Sequence, residues 1–469
     1  MSTIGVKRAC DQCHAVKEKC RRETPTVPCE RCARLGQSCR TIRSPGKAGR
    51  KPQGARKLSY TLPSTPISAA GDMLNESPGY SSPTSTLLYN AGLSSNPAIF
   101  SDLDEWEQYF LDFMRDIIAP SPLDKFLVGP SFHDSHHTSF VQNLIQPIPE
   151  LKNASVACAA VLFGDLFTEH TNTTVDIGHK RAALAVSSLR SFRISDEKDL
   201  MTMLVLTVAM ITFAMHVEDG QPYLIARYTL SLIEAQYQHL IRFESPMMGL
   251  LMCLISTDTF ECLLRSEVPA WRINTTEREN VVDRYLGLSY PLFPLLYDIC
   301  EVADQLQHCK NEERAEIAGR LTAINTTVDN WHPSPPVDLV QCFTQAEVII
   351  ISAQAKILRL TGLLIIHRLK HPFGQHDDEG QVLSRAIIFE FDTVLQLTNR
   401  SVPCTSLAYL TACFEISGED GRETALIRSA NVVTFSKQAL VKLNASLVSI
   451  WRARDQGSQF YWTELAKYL

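Results

Sequence analysis

The sequence predicts a chain in three parts: a small metal-held module at the N-terminus (1–57), a disordered linker (58–100) and a large all-α domain (101–469). Three observations lead there. Six of the 14 cysteines fall between positions 10 and 39, 21 of the 43 residues from 58 to 100 are Ser, Thr, Pro or Gly, and from Ser101 onward apolar residues recur at spacings of three and four. With 469 residues the chain has room for two to four units, at roughly 100 to 200 residues each. Its 45% hydrophobic and 20% charged composition belongs to a globular protein with a large buried core. Collagen-like, coiled-coil and wholly disordered classes are excluded.

The N-terminal part is set apart by charge. The formal net charge is -6, yet residues 1–57 hold 15 Lys and Arg against 4 Asp and Glu, while the rest of the chain holds 30 against 47. A basic end of +11 on an acidic body of -17 points to an anionic polymer as partner of that end alone. Lys7, Arg8 and Cys10 follow Met1 with no apolar run, which argues against a secretory signal peptide and for a reducing compartment. There, clustered cysteines bind metal rather than form disulfides. The Asn-x-Ser/Thr matches at Asn75, Asn153, Asn172, Asn274, Asn325, Asn399 and Asn444 then carry no weight.

The cysteines read Cys10-x2-Cys13-x6-Cys20, an eight-residue loop, then Cys29-x2-Cys32-x6-Cys39, so the second triplet copies the first at an offset of nineteen. Zinc takes four ligands in a tetrahedron, and a Cys-x2-Cys pair supplies two to one ion. Six thiolates serve two ions only if two of them bridge, and the duplication makes one bridge from each half the natural arrangement. Two zinc ions against six thiolates leave the cluster at -2 and the module at +9. A single-zinc site from Cys10, Cys13, Cys29 and Cys32 also fits the spacing, but leaves Cys20 and Cys39 without a role.

The stretch CDQCHAVKEKCRR from Cys10 to Arg22, with Pro28, Cys29, Cys32, Gly36 and Cys39 after it, resembles the fungal binuclear zinc cluster (Zn2Cys6) transcription factors over about forty residues. That resemblance implies a Zn2Cys6 binuclear cluster domain with two zinc ions per chain, held by Cys10, Cys13, Cys20, Cys29, Cys32 and Cys39. It implies Cys10 and Cys29 as the bridges, a short helix after each Cys-x2-Cys, and the first of these in the DNA major groove. Lys17 and Lys19 lie on the first helix, against Arg34 alone on the second, so the first half is expected to face DNA. Lys17 is the candidate base contact, and Lys19, Arg21 and Arg22 are candidate phosphate contacts. Val16 stands where the family usually has a basic residue, so the base readout is expected to depart from the family's CGG triplets. Arg40 and Arg43 open a basic run through Lys57 without an acid, which suits further phosphate contacts and nuclear import.

The linker has no basic residue and only Asp72 and Glu76 as acids, too little apolar surface to offset its ordering entropy. Thr65-Pro66, Ser77-Pro78 and Ser82-Pro83 fit proline-directed kinases, a pattern common in any linker. In the body, Leu103, Trp106, Phe110, Phe113 and Ile117 make an amphipathic helix behind Ser101 and Asp102; two heptads are too few for a coiled coil, so core packing is expected. Further helices are expected over 156–167, 179–192, 200–216, 222–240, 247–264, 277–286, 292–309, 339–369, 381–397 and 424–453, with no period-two strand series. Leu200 to Val217 has the minimum length of a membrane span, but its threonines, His216 and the flanking Asp199 and Glu218 make it a buried helix. His133, Asp134, His136 and His137 read as a polar loop, and the eight later cysteines as small buried hydrophobes. No catalytic constellation stands in the chain, so no enzyme is expected.

Taken with the resemblance, the expected function is a nuclear, zinc-dependent, sequence-specific DNA-binding transcription factor for RNA polymerase II genes, controlling a metabolic or secondary-metabolite biosynthetic gene set. The expected partners are double-stranded DNA, a second copy of the chain and the transcription machinery, with no membrane. The helical body is similar in composition and layout to the regulatory region of that family. The alternative is a zinc-stabilised protein-interaction scaffold without specific DNA binding.

Overall fold

Residues that favour helix starts and stops bracket the apolar runs of the body, and a computed structural model of the chain shows most of them in use. The structure describes Cys13, Cys20, 29–34, Cys39, 97–116, 121–166, 171–237, 246–274, 281–310 and 312–469. The chain divides into two units, Met1–Leu88 and Tyr89–Leu469. In the first, helix α1 is Glu30–Arg34. Of the expected linker, 58–96 lies outside the described residues, and Pro97–Phe100 forms one helical turn.

The second unit starts with α2 (Glu105–Arg115). The Asp104 carboxylate accepts from the Glu107 N–H at 2.9 Å and the Glu107 carboxylate from the Asp104 N–H at 3.1 Å, a reciprocal cap that satisfies two otherwise orphaned donors. The expected caps Ser101 and Asp102 lie just before it. Next come α3 (Pro149–Leu166), α4 (Thr171–Ser191), α5 (Glu197–Met215), α6 (Pro222–Gln236) and α7 (Met247–Arg265). Asp196 caps α5, and Pro222 occupies the first turn of α6, where its missing N–H costs nothing. Then follow α8 (Phe293–His308), α9 (Arg314–Asn330), α10 (Gln345–Lys370), α11 (Asp377–Thr398), α12 (Ser406–Phe414), α13 (Glu419–Val432) and α14 (Lys437–Asp455). Thr344 and Glu347 cap α10 reciprocally, Ser436 caps α14, and Asn399 ends α11 in the left-handed region at φ 52°.

Among the described residues there is no strand, only an isolated bridge between Asp283 and Gly287. Helix α3 packs against α2, α4 and α5; α10 packs against α9, α11 and α12. The aromatic face of α2 docks as expected, Phe110 lying 5.5 Å from Phe163 between ring centroids. Helices α5, α7 and α10 are long and apolar enough to cross a membrane by length and composition, and 78%, 72% and 78% of their apolar windows are buried inside the body. Their hydropathy is that of helices surrounded by other helices.

The structure corrects several sequence expectations. Instead of a helix over 277–286, residues 281–288 form a turn, because the Asp283 carboxylate takes the N–H groups of Tyr285 and Leu286 and Gly287 turns back at φ +52°; 277–280 lie outside the described residues. The expected run over 424–453 breaks into α13 and α14 at the Ser436 cap. Helices α9 and α12 had no expectation at all. His133 to Leu144 is helical with one wide π turn at His137–Val141, so the histidine group is not a loop. His136 is buried, its Nδ1 lies 3.1 Å from the Tyr285 hydroxyl, and burial, with help from Arg284, lowers its pKa to about 3.

Two buried ion pairs brace the body. Arg181 donates to Glu107 through Nε at 2.6 Å and through Nη2, tying α4 to α2. Arg368, fully buried on α10, donates to Glu415 at 2.6 and 2.5 Å and to Asp377 at 2.7 Å, with the Phe373 ring centroid 4.7 Å away. A buried guanidinium is tolerable only with such saturation of its donors.

Candidate metal centre and nucleic-acid interface

The Cys-x2-Cys spacing turns two thiols toward one point, and the described cysteines show the result. The Cys13 and Cys29 sulfurs lie 3.6 Å apart. Cys13, Cys29 and Cys32, all fully buried, are the one group of three or more thiol, imidazole or carboxylate residues among the described ones whose ligand atoms all lie within 4.8 Å of one another. Two sulfurs on a tetrahedral zinc, each about 2.3 Å from the ion, stand about 3.8 Å apart. The donor set and its separation therefore fit zinc. Half-buried Cys20 and Cys39 pack against this core.

Helix α1 begins directly after Cys29, with the Ala33 N–H on the Cys29 carbonyl at 2.9 Å. This folds Cys32 back so that its N–H donates to the Cys29 sulfur at 3.5 Å, while the Cys29 N–H donates to the Cys39 sulfur at 3.2 Å. The backbone N–H of Cys32, aided by the neighbouring thiols and opposed by burial, lowers the Cys29 pKa to about 6. A metal ligand must be a thiolate, so this environment favours the binding form. The body thiols behave oppositely: burial pushes Cys158, Cys253 and Cys413 up to about 12. Cys158, Cys262, Cys300 and Cys413 are the expected small buried hydrophobes, whereas Cys253, Cys309 and Cys404 are half-buried and Cys342 is exposed.

Of the residues singled out from sequence, Cys13, Cys20, Cys29, Cys32 and Cys39 are thus brought together. Cys10, Lys17, Lys19, Arg21, Arg22, Arg40 and Arg43 lie outside the described residues. Arg34, the only charge of the second half before Cys39 and beyond Arg31, is exposed at the end of α1.

Comparison with known proteins agrees with this chemistry. Residues 8–48 match the fungal Zn(2)-Cys(6) binuclear cluster domain, and residues 177–468 match the fungal specific transcription factor domain. The Hps1-dma1 cluster transcription factor tfc7 of Dothistroma septosporum is 32% identical over 166 residues, covering 30% of this chain and 43% of that protein. The match thus spans less than half the length of that curated relative. No solved structure matches the chain. These families are transcription factors that use zinc and bind DNA, not enzymes, and the family acts in the nucleus. With one match covering more than half of its length and another over its cysteine module, the chain belongs to the fungal Zn(2)-Cys(6) binuclear cluster transcription factors.

Proposed function

We propose that residues 1–57 form a two-zinc module that reads DNA sequence in the nucleus, that 58–100 tether it, and that 101–469 regulate transcription by RNA polymerase II in response to a bound partner. Cys10 and Cys29 each bridge both ions, and Cys13, Cys20, Cys32 and Cys39 complete the two tetrahedra. The observation that carries this is the convergence of Cys13, Cys29 and Cys32 with Cys20 and Cys39 packed against them. A one-zinc scaffold using only Cys10, Cys13, Cys29 and Cys32 gives Cys20 and Cys39 no such reason to be there.

In this reading Lys17 donates to a base edge, while Lys19, Arg21, Arg22, Arg40 and Arg43 contact phosphates. The relative is named for a gene cluster, which supports a clustered metabolic or biosynthetic gene set as the target. Selection of binding sites from random DNA by the full-length protein, with and without a zinc chelator, tests the proposal. Enrichment of paired triplets at one spacing, lost on chelation, is the result expected of a zinc-dependent homodimer. A single enriched half-site means a monomer. No enrichment, or one zinc ion per chain by elemental analysis, returns the scaffold.

A further inference from the structure

A second set of metal-ligating side chains sits in the helical body, at the corner between α10 and α11. His367 and His371 stand one turn apart near the end of α10, and His376 and Glu379 follow across the turn. A spacing of four puts His367 and His371 on one helix face. The three rings form a row, with centroids 5.1 Å apart for His367 and His371 and 4.2 Å for His371 and His376.

The partners of His367 fix its tautomer. Its Nε2 lies 3.1 Å from the His376 backbone carbonyl, which only accepts, so Nε2 carries the hydrogen. In the neutral ring Nδ1 then holds a lone pair, and it faces Glu379 Oε2 at 3.6 Å. Two lone-pair groups facing each other at this distance leave room for a cation between them. A metal ion bonded to imidazole nitrogen and carboxylate oxygen at about 2.0–2.2 Å would hold a tetrahedral pair about 3.4 Å apart, close to the observed separation.

The corner is rigid and the approach is open. Arg368 Nη1 donates to the carbonyls of Pro372 at 3.0 Å and Gln375 at 2.8 Å, and the Asp377 carboxylate takes the Gly374 N–H at 3.1 Å. Glu415 and Asp377 neutralise the Arg368 charge, so it does not repel a cation at full strength. His376 is held at φ 50°, a conformation costly for a residue with a side chain. Glu379 is exposed and His371 half-buried.

We propose that His367, His371 and Glu379 bind a divalent transition-metal ion of the zinc class, with His376 or water as fourth ligand. The site is separate from the cysteine cluster and differs in chemistry, offering nitrogen and oxygen where the cluster offers sulfur. It joins the end of α10 to the start of α11 and so makes the regulatory body responsive to metal. Without the ion the three ligand atoms are not all within 4.8 Å of one another, so binding requires them to draw together.

The test uses untagged full-length protein, cobalt(II) as the probe, and the variant H371N/E379Q, whose changes fall on solvent-reaching side chains. The wild type is expected to take up one cobalt equivalent more than the variant, with visible ligand-field bands but no added sulfur-to-cobalt charge-transfer band, while helix content and cysteine-bound metal stay equal. Equal uptake by the two proteins overturns the site. So does an extra equivalent whose spectrum carries a new sulfur-to-cobalt band.

Discussion

Removal of the Glu415 carboxylate is the sharpest probe of the body. Arg368 and Glu415 are 0% and 1% exposed and share two hydrogen bonds at 2.6 and 2.5 Å. In Glu415→Ala the guanidinium stays buried on α10, with Asp377 as its remaining acidic partner and the Pro372 and Gln375 carbonyls as further acceptors. Breaking one side of a buried pair costs about 3–5 kcal/mol, here because the dry guanidinium loses its fully buried partner and keeps only the partly exposed Asp377 as counter-charge. For a unit the size of Tyr89–Leu469, an unfolding entropy of roughly 0.8 kcal/mol/K turns about 4 kcal/mol into a fall in Tm of about 5 °C. Thermal and urea unfolding of the full-length protein reads this directly. The double variant R368M/E415L, which removes both charges and keeps the volume, should recover at least half of the loss. A single variant that loses under about 1 kcal/mol, or a double variant no better than the single, refutes the account of the pair.

Three further outcomes are expected. Gly380→Ala places a Cβ 2.7 Å from Arg368 Nη2 and 2.9 Å from Glu415 Oε2; Ala would favour the helix by about 1 kcal/mol, yet overpacking against two fixed groups should leave a net loss of about 1–3 kcal/mol in urea unfolding. His136 has its pKa lowered to about 3 in the folded protein from 6.5, so the unfolded chain takes up a proton that the folded one refuses. Stability is then full above about pH 6.5 and falls by about 1.4 kcal/mol per pH unit as the pH drops toward 3, a slope that urea midpoints should show flattened in His136→Gln. In the DNA-binding module, Lys17→Ala should cost about 1–3 kcal/mol and relax base preference, whereas Arg43→Ala should lower the log-log salt slope by about 0.9 at unchanged preference; equal effects of both on base preference would remove Lys17 from the base-reading role.

The cysteine module was legible because zinc imposes its tetrahedron on local spacing: two residues between paired cysteines suffice to aim both sulfurs at one ion. Helix α5 was legible from its continuous apolar run. Helix α12 was not, because Leu407 to Phe414 are buried on every side, and a helix with no polar face has no periodicity to read. Helix α9 failed for the opposite reason, burying only Ile317, Leu321 and Val328 in an otherwise polar segment. The turn at 281–288 carries apolar residues at helical spacing, and what diverts it is one side chain, Asp283, competing for backbone donors. His367 stood inside an apolar helix where a histidine passes for a core residue, while His371 follows the last helical residue and Glu379 lies beyond a turn.

The apolarity of α5, α7 and α10 reaches beyond packing. Each has the make-up of a bilayer segment and is covered only while its neighbours stay in place. A chain that opens shows chaperones and proteases surface that they bind readily, and a loss of about 1–2 kcal/mol can change abundance several-fold. Substitutions in the body, hundreds of residues along the chain from the cysteine cluster, are therefore expected to change the amount of folded protein without altering the DNA affinity of the molecules that remain.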